Sequence, residues 1–191
     1  MKEVIRLTAV LTVVCVLAGL SLSYVSQATE EARAYQDRLE LLNSLKLVLP
    51  EHDNEPDNDA AVIGDTIYYR SKNGGEINGI AFITSSDKGY SGPIRIIMGV
   101  KPEGEIITIG ILEQKETPGL GTKITEDWFI DQYKGKSLAN ARWAVKKDGG
   151  EFEQISGATI SPRAVTSAVR TGLEAYEKNK QEILGGSDVV Q

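Results

Sequence analysis

Between Leu7 and Ala28 the chain runs for 22 positions without a charged side chain. Wound as a helix at ~1.5 Å per residue, that stretch is about 33 Å long, enough to cross the hydrocarbon core of a bilayer. Lys2 and Arg6 precede it, and Glu30 and Glu31 follow. By the positive-inside rule the N-terminus stays in the cytoplasm and everything after Ala28 lies outside it. Small residues at Ser26-Gln27-Ala28 also fit the cleavage site of a signal peptide, but the uncharged span is longer than a usual signal core and favours a retained anchor. The lone cysteine, Cys15, sits inside this run, which excludes an intrachain disulfide and a cysteine-based metal site.

The remainder of the 191 residues is long enough for one domain with a real core. Acidic residues outnumber basic ones, 27 to 21, and no basic stripe is present, which argues against nucleic acid as a partner. His52 is the only histidine and lies in the polar run Glu51-His52-Asp53-Asn54-Glu55-Pro56-Asp57, which reads as a solvated loop. A histidine-cluster metal site and a Ser-His or Cys-His pair are thereby disfavoured, so no metal ligand and no catalytic side chain is assigned.

After the anchor, Glu30 to Leu49 reads as a helix with Tyr35, Leu39, Leu42 and Leu49 on one stripe, ended by Pro50. It serves either as a stalk or as a first helix packed on the domain. An acidic loop over Glu51–Asp59 follows, then strand candidates at Val62–Tyr69, Gly79–Thr84, Ile94–Val100 and Glu105–Leu112. The last two are expected to form an antiparallel hairpin through Lys101-Pro102-Glu103-Gly104. A Gly- and Pro-punctuated loop over Glu113–Thr125 leads to a short helix near Glu126–Tyr133. A second hairpin is expected from Arg142–Val145 and Glu151–Ile155, and a mobile polar tail at 185–191. Strand pairs without regular βαβ alternation imply an α+β fold: a mostly antiparallel sheet flanked by helices and preceded by one transmembrane helix. The expected divisions are 1–28, 29–59, 60–184 and 185–191.

The residues that point to chemistry are Ser156-Gly157-Ala158-Thr159, set just before a helix start at Ser161-Pro162. Ser161 is expected as N-cap and Pro162 as first helical residue, with Val165, Val169, Leu173 and Tyr176 on the apolar face of a helix running to Ile183. A helix N-terminus offers unpaired amides and the positive end of the dipole, and Gly157 allows close backbone approach. The first turn carries Arg163 instead of an acid, which favours an external anion. Taken by itself, the segment is also consistent with a plain capped turn, or with a noncovalent site for an anionic ligand.

The segment Ser156–Thr159 resembles the flavinylation motif of the FMN-binding domain family found in the G subunit of Rnf complexes and the C subunit of sodium-pumping NADH:quinone oxidoreductase. Two further blocks carry the resemblance: Glu116-Thr117-Pro118-Gly119-Leu120-Gly121, followed by Trp128-Phe129, and Gly89-Tyr90-Ser91-Gly92-Pro93-Ile94. Glu153 stands where the family usually has Asp, one methylene longer, and Gln114-Lys115 stand where it often has a small polar group. The resemblance implies that Thr159 carries FMN as a phosphoester, with Ser156, Gly157, Ala158, Glu116, Thr117, Gly119, Leu120 and Arg163 around the cofactor. It further implies an extracytoplasmic domain over 60–184, a flavin transferase that uses FAD as donor, and electron transfer between ferredoxin and NAD within an ion-moving membrane complex. Of the two relatives the Rnf G subunit is preferred, because the chain is compact and its anchor leads quickly into the domain.

Overall fold

The computed structural model describes residues 1–185, so the expected tail, apart from Gly185, lies outside the described residues. Two compact units are present, Met1–Leu41 and the part from Leu42 onward. The first contains helix α1, Lys2–Ala28, whose described side chains are exposed and which is long and apolar enough to cross a membrane. Thr8, Thr12 and Ser21 return their hydroxyls to carbonyls one turn back, so these polar groups are satisfied within the helix. Helix α2, Glu30–Val48, follows after Thr29.

The second unit is an antiparallel meander in which β1 (Ala60–Ile63), β2 (Thr66–Asn73), β3 (Glu76–Ser86), β4 (Ile94–Val100) and β5 (Ile106–Glu113) lie side by side in chain order. The single strand expected at Val62–Tyr69 is in fact two. Gly64, at φ 59°, and Asp65 turn the chain between Ile63 and Thr66, a two-residue hairpin hidden inside an otherwise continuous apolar run. The β4–β5 hairpin forms as expected, pairing Met98 with Ile109 and Val100 with Ile106.

Alternation assigns the faces. Tyr68, Phe82, Met98 and Ile109 stand on one face and meet α4, Ile160–Leu184, through its buried Val165, Val169, Leu173 and Tyr176. The helix comes close because Gly172 faces the sheet; a Cβ there would lie 2.9 Å from Met98 Sδ. On the opposite face the end of α2 is seated, with Leu45, Val48 and Leu49 buried. Here Gly99 makes room, since a Cβ would stand 2.0 Å from the Val48 carbonyl oxygen. The expected stripe is thus displaced toward the C-terminus, with Tyr35 exposed and the last turns packed.

The acidic segment 51–59 has no regular structure, as expected, but it is pinned and not merely solvated. Asn54 accepts from the Lys72 amide and donates to the Arg70 carbonyl, and Asp53 accepts from the Gly74 amide, so the segment lies along β2. Asp59 pairs with Arg70 at 2.7 Å and Lys72 at 2.5 Å. Arg70, 2% exposed, also donates to the Ile183 carbonyl at the C-terminal end of α4, where a cation is favoured.

After β5 the chain makes a 3₁₀ turn at Gly121–Thr125 and a short helix α3, Asp127–Asp131. The expected hairpin over 142–155 is replaced by a single parallel bridge between Val145 and Phe152 around a 3₁₀ turn at Lys146–Asp148. Gly149, at φ 82°, and side-chain bonds such as Lys147 N–H to Gln154 Oε1 hold this segment in place of a ladder.

Candidate functional site

Helix α4 begins two residues earlier than Ser-Pro suggests. Its N-cap is Thr159, Ile160 is the first helical residue, and Ser161 and Pro162 complete the first turn. Proline is tolerated there because the first-turn amides have no intrahelical acceptor. Thr159 makes no capping bond with its side chain, so its hydroxyl is left uncommitted on the half-buried rim. Gly157, at φ 80°, turns the chain into the helix from Ser156, and the Ala158 amide closes that turn on the Ile155 carbonyl at 3.0 Å.

A cavity of about 300 Å³ opens at this helix start, lined by Tyr90, Glu116, Thr117, Leu120, Gly121 and the segment 157–161. Of the residues singled out in the sequence, Glu116, Thr117, Leu120, Gly157, Ala158 and Thr159 meet here. Ser156 and Gly119 are exposed and do not line it. Gly119, at φ 74°, instead shapes the loop, its amide donating to Thr122 Oγ1, while the Thr117 carbonyl accepts from Leu120 and Thr122. Three large apolar side chains, Tyr90, Leu120 and Ile160, stand exposed among the lining, Tyr90 at 69%.

Arg163 is placed elsewhere. Its guanidinium grips both carboxylate oxygens of Asp148 at 2.6 Å, and it lines a separate, smaller cleft with Trp143 and Arg170. The hydrogen bond from Arg163 holds the Asp148 carboxyl below its ordinary value. Glu153 is also engaged away from the cavity, paired with Lys146, while its amide donates to Gln132 Oε1.

Sequence reasoning missed how Glu116 is used. It is 4% exposed, and its carboxylate accepts from Ser161 Oγ at 2.6 Å and from the Ser91 amide at 3.1 Å. Ser161, expected as an N-cap, is therefore a buried donor inside the first turn. Tyr90, Gly121 and Ile160 were not singled out individually as site residues, although the first two lie in the blocks that carry the resemblance. Gly121 is small of necessity, since a Cβ would fall 2.7 Å from that of Glu116.

Among solved structures, the fold is similar to the C subunit of the Na(+)-translocating NADH-quinone reductase of Parabacteroides distasonis, with a TM-score of 0.51 at 21% identity over 71% of this chain and 79% of that one. NqrC of Shewanella oneidensis gives the same TM-score at 18% identity, over 73% of each chain. The family model that matches is the FMN-binding domain, over residues 89–174, a span that begins in the Gly89–Ile94 block and ends within α4. The matched span takes in β4, β5, the loop after β5 and the start of α4.

Over most of its length the chain is similar to proteins named as the G subunit of the ion-translocating oxidoreductase complex. That of Cereibacter sphaeroides is 38% identical over 181 residues, covering 88% of this chain and 82% of the relative. That of Shewanella loihica is 34% identical over 200 aligned positions, covering 96% and 94%, and that of Stutzerimonas stutzeri 39% over 177, covering 86% and 77%. The chain belongs to the family of G subunits of ion-translocating oxidoreductase complexes.

Proposed function

We propose that this chain is the electron-carrying G subunit of an Rnf-type ion-translocating complex, and that it bears FMN as a phosphoester on Thr159. The observation that carries the reading is the Thr159 hydroxyl, uncommitted at the N-cap of a long helix and on the wall of the cavity where the Tyr90, Glu116–Gly121 and 157–161 segments meet. The residues fit the group. A phosphoryl on Thr159 would be next to the first-turn amides at the positive end of α4, which stabilise an anion. Tyr90, Leu120 and Ile160 supply apolar surface for a planar ring, and Thr117 offers a hydroxyl at the cavity wall. Flavin bound there supplies reversible electron transfer, so the chain needs no catalytic triad of its own.

Attachment from FAD forms a bond from Thr159 Oγ to the FMN-side phosphorus and breaks the bond from that phosphorus to the bridging oxygen. AMP leaves with the bridging oxygen, and the hydroxyl proton is released. A flavin transferase has to reach the turn for this, and the exposed Ser156-Gly157 approach permits it. With α1 as anchor, Lys2 and Arg6 support an extracytoplasmic position for the domain, beside the other subunits of the membrane complex.

The test is in-gel flavin fluorescence after denaturation, which should be present in the parent and lost in Thr159→Ala. Retained fluorescence that maps to Ser156 or Ser161 overturns the assignment. Flavin that washes out on denaturation of the parent points to noncovalent binding of an anionic ligand. Orientation is tested by a cysteine placed in segment 51–59, which should react with an impermeant thiol reagent from outside intact cells.

A further inference from the structure

Two hydroxyls separated by one residue face the same cavity, Thr159 and Ser161, and chemistry alone does not choose between them. Their surroundings differ. Ser161 is 1% exposed and donates its proton to Glu116 Oε2 at 2.6 Å, so it is neither reachable by a second protein nor free to turn. The glutamate that holds it is itself fixed at both side chain and backbone. Its other oxygen accepts from the Ser91 amide at 3.1 Å, and the Glu116 amide donates to Gln114 Oε1 at 2.7 Å. Gly89 and Gly121 close in on it, since a Cβ on either would lie 2.9 Å from one of its carboxylate oxygens. Segments 89–91, 116–121 and 157–161, remote in sequence, are thus joined at one side chain.

We propose that Glu116 is a positioning residue for flavin attachment, a clamp that holds Ser161 out of the reaction and sets the first turn of α4 so that Thr159 is presented as the acceptor. The proposal rests on Thr159 being the attachment site. Glu116 need not touch the cofactor; it acts through Ser161, to which it is bonded, and through the Ser91 amide. Cutting the clamp on either side frees the helix start, so the effects of Glu116 and Ser161 should not add.

The experiment follows the initial rate of flavin attachment to the full-length chain in detergent, with FAD and the flavin transferase, and locates the flavin by peptide mass spectrometry. Glu116→Ala and Ser161→Ala should each slow attachment at Thr159 at least tenfold, and the double variant should be no slower than the slower single. Glu116→Gln keeps an acceptor for the Ser91 amide and a polar group against Ser161, and should return the rate to within about threefold of the parent. Far-UV circular dichroism confirms that each variant is folded, and Ser161→Ala, which removes one oxygen, keeps the test open if Glu116→Ala does not fold. Parental rates in both alanine variants overturn the clamp, as does Glu116→Gln being as slow as Glu116→Ala, which would assign the effect to charge. A parent chain that takes up no flavin at Thr159 sinks the proposed function and the clamp together, whereas normal variants beside a labelled parent sink the clamp alone.

Discussion

Thr117 is exposed at the cavity wall while its neighbour Glu116 is turned inward, so adjacent members of one sequence block have different duties. Thr117→Ala should keep the flavin attached but shift its visible spectrum or redox titration, by the equivalent of about 1 kcal/mol for one lost hydrogen bond. Glu126→Ala, whose carboxylate bonds the Trp128 indole, should leave both unchanged. A titration of Thr117→Ala that overlays the parent would show the loop to be only a turn. Asp59 is a second residue with a readable consequence. Burial raises its pKa, but the hydrogen bond from Lys72 and the charge of Arg70 outweigh that and lower it below the usual 3.8. A lowered pKa means the contribution is complete above about 3.8 and is lost as pH falls through the folded-state value. Asp59→Asn should therefore flatten the acid limb of a stability profile while lowering stability at neutral pH by about 3 kcal/mol, because Arg70 is left buried without its counter-charge. A four-residue motif drew attention to Thr159, which stands at the N-cap of α4 on the cavity wall, but the bond between Glu116 and Ser161 spans 45 positions and no local pattern announces it. Ser161 was misread because Ser-Pro is a strong start signal, and nothing in the sequence shows that its hydroxyl is already taken.

The helices and sheet could be drawn from the sequence with useful accuracy where one periodicity runs unbroken. Helix α4 kept its expected apolar face because Val165, Val169, Leu173 and Tyr176 repeat at helical spacing over a long element. The split between β1 and β2 was lost because apolar residues continue on both sides of Gly64-Asp65, and alternation restarts without a visible break. The bridge at Val145 and Phe152 was overread as a hairpin for the opposite reason, since turn residues were present but no ladder joins the flanks. What sequence could not show is why particular strand glycines are there. At Gly99 an added methyl meets the backbone of Val48, which has no rotamer to escape by, whereas at Gly110 it meets side chains alone, Ile97 at 3.1 Å and Val48 at 3.9 Å. Gly99→Ala should cost about 1–3 kcal/mol, read as a melting temperature lower by roughly 2–4 °C for each kcal/mol, and Gly110→Ala should cost clearly less. Equal melting temperatures for the two would mean that α2 is not seated on Gly99.

At the scale of the molecule, the division after Leu41 predicts where the chain is safely cut. A fragment beginning at Leu42 keeps Leu45, Val48 and Leu49 in the core and should fold without the membrane segment. One beginning at Glu51 uncovers that face of the sheet, a loss of roughly 5–9 kcal/mol for three buried apolar side chains and so comparable with the whole stability of a domain. Proteolysis and amide exchange distinguish the two fragments, and equal protection would contradict the packing of α2. The meander has a further consequence for maturation. Each strand pairs with its neighbours in chain order, so the sheet depends on short-range closures and is free to assemble as the chain emerges. The turn at Ser156–Thr159 has no such independence, for the helix start that follows it is tied to Glu116 across 45 positions. On the attachment proposed at Thr159, cofactor loading would be the last act of biogenesis, and flavin colour would certify a finished chain.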